Sequence, residues 1–151
     1  MKKKIENIFL KKKILIYGLG KSGISSFRFL RNKADIYLFD DLKNIHPKQI
    51  SRLELLKIKF DIIIISPGIN IFNCKLSKFL KLNKKKIYTD LDVFFTFFKN
   101  KCITITGTNG KSTTAKILYE VLKDQKKDVR LIGNIGNPPL NEKKISKSTI
   151  F

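Results

Sequence analysis

Apolar residues along this chain fall in short β-type runs separated by segments of helical period. Lys13 to Tyr17 (KILIY) is a run of strand character that stops at a glycine cluster. Ser22 to Arg31 (SGISSFRFLR) places apolar residues at 24, 27 and 30, which is helical spacing. Ile36 to Phe39 (IYLF) predicts a second strand, ending at Asp40-Asp41. Pro47 to Lys57 predicts a helix with Pro47 in its first turn and Ile50, Leu53 and Leu56 on one face. Asp61 to Ser66 (DIIIIS) is a continuous β-branched run, the signature of a strand covered on both faces, and it stops at the turn signal Pro67-Gly68. A short helix over Lys75 to Leu82 and a short strand over Lys86 to Tyr88 follow. Asp90 to Phe98 predicts a further helix, whose acidic start suits the positive end of the helix dipole.

After the polar break Lys99-Asn100-Lys101 the pattern restarts. Cys102 to Thr106 (CITIT) predicts a strand and residues 107–111 a glycine-containing loop. Ser112 to Asp124 predicts a helix with Ile117, Leu118, Val121 and Leu122 inward, and Val129 to Ile132 the next strand. Strands alternating with helices predict an α/β fold with parallel sheets. The break near residue 100 divides the chain into an expected first domain, 1–99, and a second, 100–151.

Composition changes this picture little. The chain has 151 residues, 42% of them hydrophobic, which suffices for one core or for one small domain plus part of another. The longest apolar run, Ile62 to Ile65, is far short of the roughly 20 residues a membrane helix requires, so no membrane association is expected. The basic N-terminus lacks the apolar stretch and cleavage site of a secretory signal. Cys74 and Cys102 read as two reduced thiols of a cytoplasmic protein, not as a disulfide framework or metal cluster. The formal charge of +20, from 32 Lys+Arg against 12 Asp+Glu, raises nucleic acid as a partner. The lysines, however, are scattered and are not interleaved with aromatics. With the abundant Ile, Asn and Phe they read as compositional bias, so a nucleic-acid partner is not expected. Positive potential would still draw in anionic nucleotides.

Two glycine loops carry the candidate chemistry. Gly18-Leu19-Gly20-Lys21-Ser22-Gly23 is a G-x-G-x-x-G between a strand and a helix. The first glycine permits the tight turn, the second lets a pyrophosphate approach, and the third allows close helix–strand packing. The helix N-terminus then presents free N–H groups to an anion. Asp40 follows at about the spacing of a ribose-binding acid. Taken alone, the motif is open among NAD, another nucleotide, and a tight turn without a ligand.

The second loop narrows the choice. Thr106-Gly107-Thr108-Asn109-Gly110-Lys111-Ser112-Thr113 joins a β-type run to a helix. Such a loop folds backbone N–H groups around phosphates, its lysine reaches the β- and γ-phosphates, and the following hydroxyl binds Mg²⁺. A strict phosphate loop has a glycine where Ile105 stands, so this is a variant.

In carrying both loops the chain resembles the Mur ligases. Residues 107–113 (GTNGKST) are most similar to the D-glutamate-adding branch; the L-alanine-adding branch has His in the place of Asn109, and the related folylpolyglutamate synthetases tend to have Gly-Ser after the lysine. Tyr17 to Ser25 (YGLGKSGIS), Ser66-Pro67-Gly68-Ile69, Asp90 to Phe94 (DLDVF) and Gly133-Asn134-Ile135-Gly136 also fall in family order. The resemblance implies a Rossmann-like first domain for the UDP-sugar, then the beginning of a P-loop domain for ATP and Mg²⁺. It implies that the first loop holds a UDP diphosphate at Gly20, Lys21 and Ser22, with Asp40 near the uracil. Gly68 would lie beneath the substrate, and Asn134 would lie near it where the domains meet. Gly107, Thr108, Asn109, Gly110, Lys111, Ser112 and Thr113 would hold ATP, with Lys111 catalytic and Ser112 on Mg²⁺. The family often has a small hydroxyl residue and then a basic one after the aspartate. Here Asp41-Leu42 stand in those places, and Lys43 offers a cation one position on.

The implied reaction moves the γ-phosphoryl group of ATP to the carboxylate of UDP-N-acetylmuramoyl-L-alanine. The amine of D-glutamate then displaces phosphate from the acyl phosphate, in peptidoglycan synthesis. The enzyme is expected to be a cytoplasmic monomer. Lys147 to Phe151 reads as the beginning of another strand. The family's further metal- and amino-acid-binding residues fall past it, so the chain is expected to be an inactive portion of a longer product. Its second domain is expected to be poorly stable alone. The alternatives are another Mur-type ligase, a folylpolyglutamate-synthetase relative, a non-catalytic nucleotide-binding module, and a basic nucleic-acid-binding protein.

Overall fold

Lys13–Tyr17 (β1) is flanked on both sides by parallel strands in the computed structural model, which describes residues 7–42 and 45–151. Lys43, with its expected cation role, lies outside the described residues. The chain divides into two compact units, Met1–Phe97 and Phe98–Phe151.

In the first unit, Lys21–Leu30 (α1) leads to Asp35–Phe39 (β2), and Arg52–Lys57 (α2) leads to Ile62–Ile65 (β3). Ser77–Leu82 (α3), Ile87–Tyr88 (β4) and Asp90–Phe97 (α4) complete it. The sheet order is β2-β1-β3-β4, all parallel, with Leu15 level with both Tyr37 and Ile63. The expected α/β parallel sheet is therefore present. Ile14 to Tyr17 and Ile62 to Ile65 are buried throughout, as befits strands covered on both faces. One face packs Leu15, Tyr17, Ile63 and Ile65 with Leu55, Phe60, Leu76 and Leu80. On α1 and α4, which pack together, the Phe29 and Phe97 rings meet edge to face at 4.9 Å.

α2 corrects two expectations. It begins after Ser51, not at Pro47, because Ser51 and Glu54 form a reciprocal capping box: Glu54 N donates to Ser51 Oγ and Ser51 N to Glu54 Oε2. The preceding Gln49-Ile50 instead runs beside β2, with Ile50 N donating to Leu38 O. Starting later turns the helix, so Leu55 is buried while Leu53 and Leu56 are 75% and 53% exposed. The other helices of this unit match their predicted segments to within two residues.

The second unit departs further. Its one α-helix among the described residues is Lys111–Asp124 (α5). The strands expected over 102–106 and 129–132 do not form; isolated parallel bridges join Lys101 and Val129 to Ile150. Ile150 thus lies between the two segments, and Ile103 N donates to Phe151 O. Parallel ladders need a partner at every step, and residues 104–106 have no strand partner among the described residues. The helix face expected inward is met only in part: Leu118 and Leu122 are half-buried, but Ile117 is 60% and Val121 46% exposed, and no residue of α5 is fully buried. No helix among the described residues is long and apolar enough to cross a membrane.

A polar knot stands where a larger core would be. Asp128 accepts from Thr149 Oγ1 at 2.5 Å and Ser146 Oγ at 3.3 Å and pairs with Arg130, which also reaches Glu142. Asn100 Nδ2 donates to the carbonyls of Ser146 and Thr149.

Two predictions follow from this packing. Leu55→Ala is expected to destabilise the first unit by about 2–5 kcal/mol, whereas Leu56→Ala stays within about 0.5 kcal/mol, in denaturant unfolding followed by circular dichroism. In the second unit the Thr149 hydrogen bond, helped by Arg130, holds the Asp128 carboxyl below its usual range. Its stabilisation is therefore present above the unfolded carboxyl value of about 4 and is lost as pH falls below that toward the lowered folded value. Asp128→Asn should flatten the acid limb of the second unit's unfolding midpoint against pH.

Candidate nucleotide-binding loops

Because β1 connects outward to β2 while β3 lies on its other side, the chain reverses direction across the sheet between β1 and β3. Parallel α/β sheets open a crevice at the carboxyl ends of such strands. The expected residues of the first unit gather there. Gly18 follows β1 at φ 91°, a left-handed conformation, and a Cβ on it would meet the Ser66 side chain. Ser66 Oγ, just past β3, donates to Gly18 O at 2.7 Å and ties the two strand ends together. Gly23 is forced by contact: a Cβ there would sit 1.8 Å from the Gly18 carbonyl oxygen. Gly20 caps α1 with nothing within 4 Å of where its Cβ would be. Lys21 is exposed and Ser22 half-buried beside it in the first turn. Gly68 is exposed in the turn after β3 and likewise faces open space.

Asp40 joins this group through the backbone. Its carboxylate accepts from Leu19 N at 2.6 Å and from Leu42 N at 2.9 Å. The loop after β2 is therefore fastened to the glycine loop after β1. Asp41, the departure from the family pattern, has a local role. It accepts from the buried Tyr17 hydroxyl at 2.8 Å, and its carbonyl accepts from Lys75 Nζ at 2.7 Å. Burial, then hydrogen bonding to Cys74 and Asp41, pushes the Tyr17 phenol up, so it stays a donor at neutral pH. Sequence reading missed Tyr17, Lys75 and Gln49. Gln49 Nε2 donates to the carbonyls of both Asp40 and Leu42, at 3.1 and 2.8 Å.

The second loop lies in the other unit. Gly107 and Gly110 adopt φ 150° and 75°, and Gly110 is the N-cap of α5. Glycine has no side chain with which to cap the helix, and the first turn carries no carboxylate. The helix end is thus left for an anion. Lys111 Nζ folds back over the loop and donates to the carbonyls of Gly107 and Thr108. Thr108, Asn109, Ser112 and Thr113 are exposed around it. A groove of about 500 Å³ runs from Ser112 and Thr113 along α5 past Lys116, Ile117 and Glu120. Asn134 lies exposed in a separate turn between Gly133 and Gly136, both at positive φ.

The glycines of the first loop separate experimentally. Gly23→Ala is expected to lower the first unit's stability by several kcal/mol, since the new methyl meets backbone that cannot yield. Gly20→Ala is expected to unfold within about 1 kcal/mol of the wild type. Thermal melts of the two variants make the comparison.

Residues 105–149 match the Mur ligase middle domain, a segment that contains the second loop and Asn134. A UDP-N-acetylmuramoylalanine--D-glutamate ligase of Rickettsia prowazekii (strain Madrid E) is 37% identical over 147 residues, covering 91% of this chain and 33% of that protein. The protein of the same name from Aquifex aeolicus (strain VF5) is 36% identical over 127 residues, covering 83% of this chain and 29% of its own length. The one from Lachnoclostridium phytofermentans is 34% identical over 146 residues, covering 86% and 32%. The chain spans about a third of the length of the curated relatives it matches. The chain is thus similar to D-glutamate-adding Mur ligases across both of its units, and to the Mur ligase middle domain over residues 105–149.

Proposed function

We propose that this chain carries the UDP-sugar site and the phosphate loop of a ligase that adds D-glutamate to UDP-N-acetylmuramoyl-L-alanine. The observation that carries the reading is the second loop: Lys111 stands over two loop carbonyls at the uncapped start of a 14-residue helix, inside the segment that matches the Mur ligase middle domain. In this reading residues 1–99 form a Rossmann-like domain and 100–151 the opening of the ATP domain.

The residues present fit ATP and Mg²⁺. Two left-handed glycines let the backbone curl around phosphate, and the exposed Ser112 hydroxyl stands next to Lys111. Among the described residues no three His, Cys, Asp or Glu side chains gather to hold a metal alone. Of the residues in this chain, Ser112 would be the one to meet the cation beside the phosphates. When bound, ATP supplies the phosphoryl group that activates the substrate carboxylate, and Mg²⁺ neutralises the phosphate oxygens. Lys111 places a fixed positive charge where negative charge develops, and Gly107 to Thr113 orient the triphosphate through their N–H groups.

In the first unit Gly20 leaves room for a diphosphate against the start of α1, flanked by Lys21 and Ser22. Gly68 leaves room on the β3 side, and Asp40 stands at the uracil end. Both Asp40 oxygens accept from loop amides, of Leu19 and Leu42, which fixes the carboxylate beside the glycine loop. The reaction is cytoplasmic, and the ligase acts as a monomer.

Calorimetry on the 151-residue chain tests the reading. Lys111→Ala is expected to weaken MgATP binding roughly tenfold or more while leaving UDP-N-acetylmuramoyl-L-alanine affinity unchanged. Lys111→Arg should not restore it, because a planar fork does not replace a compact charge. Equal MgATP affinity in wild type and Lys111→Ala would refute this loop as the ATP site. NAD binding in place of the UDP-sugar would remove the first-unit assignment.

A further inference from the structure

The segment 40–42 is held at nearly every polar atom. Asp40 spends its carboxylate on the Leu19 and Leu42 amides, and Asp41 spends its carboxylate on Tyr17 and its carbonyl on Lys75. The remaining two carbonyls, of Asp40 and Leu42, lie two residues apart and accept from one primary amide, Gln49 Nε2. Gln49 in turn is anchored by its own backbone, which bridges to Leu38 of β2. Its side-chain oxygen Oε1 is buried with no hydrogen-bond partner among the described residues. A buried amide oxygen without a partner is unfavourable, so the amide group is retained for its donor end.

We propose that Gln49 is a positioning residue for nucleotide binding in the first unit: by clamping the Asp40 and Leu42 carbonyls it holds the Asp40 carboxylate on the Leu19 amide, and so shapes the loop from Gly18 to Gly20. The ligand is a nucleoside diphosphate sugar, and in this respect the inference rests on the function proposed above. Gln49 touches no ligand itself. It acts through Asp40 on a loop whose two glycines leave the backbone little stiffness of its own.

The unpartnered oxygen makes the inference sharp, because a donor alone should suffice. Gln49→Glu keeps the shape and replaces the donor with an anion facing two carbonyls. Gln49→Lys keeps a donor and drops the idle oxygen. In the full chain, Gln49→Glu is expected to weaken calorimetric affinity for UDP-N-acetylmuramoyl-L-alanine about tenfold, with Gln49→Lys within about threefold of wild type. MgATP affinity should not change in either. Amide hydrogen exchange gives a readout that needs no ligand. In Gln49→Glu the Leu19 and Leu42 amides should exchange about tenfold faster while those of Ile16 and Ile64 keep their protection. Unchanged exchange at Leu19 and Leu42 overturns the inference, as does undiminished UDP-sugar affinity in Gln49→Glu or a Lys variant as weak as the Glu one. Should Gln49→Glu not fold, Gln49→Leu, which also lacks the donor, is held to the same outcomes. Faster exchange at Leu19 and Leu42 in Gln49→Glu, with a wild type that binds no UDP-sugar, would instead uphold the clamp and overturn the function proposed for the first unit.

Discussion

The first unit depends on how closely α1 can approach the end of β1. The Gly18 carbonyl occupies the space where any side chain at position 23 would begin. Only a bare Cα lets the helix start so near the strand, and only that proximity leaves the helix N-terminus at the carboxyl edge of the sheet. Ser66 fastens the same carbonyl to the neighbouring strand, so the contact that seats the helix also sets the spacing of β1 and β3. The open space at Gly20 and Gly68 follows from these two contacts.

The second unit obeys a different constraint. Its nascent sheet has Ile150 at the centre, with Lys101 and Val129 on either side. A parallel sheet is assembled from segments remote in sequence, and a short central segment limits both neighbours at once. The unit consequently relies on a polar knot around Asp128 and on a small buried set, Val129, Leu140, Thr149 and Phe151. Ile117 and Val121 have the spacing of a core face but little opposite them.

What could be read from the chain was local. Each strand of the first unit is an apolar run ended by Gly, Asp or Pro, and each was visible. The start of α2 was also written there, in Ser51 and Glu54, but the stronger-looking Pro47 obscured it. The strand character of Cys102 to Thr106 was legible and the strand did not form, because residue preference cannot supply a pairing partner. In the first loop Gly18 and Gly23 could be picked out by spacing, since each meets a fixed steric requirement. Gln49, Tyr17 and Lys75 could not, because they act across 7 to 34 residues on backbone carbonyls or on a neighbouring carboxylate, and such partners leave no mark on the linear pattern.

The fold of Lys111 onto the Gly107 and Thr108 carbonyls has a consequence for selectivity. The ammonium already has two oxygen acceptors, so an arriving anion gains only the difference between its own attraction and theirs. A weakly charged anion gains little from that exchange. A polyphosphate, with several negative oxygens that the lysine and the helix end can meet together, gains a great deal. In the proposed ATP site the loop's own carbonyls would thus act as competitors that filter ligands by charge density, with no side chain set aside for the purpose.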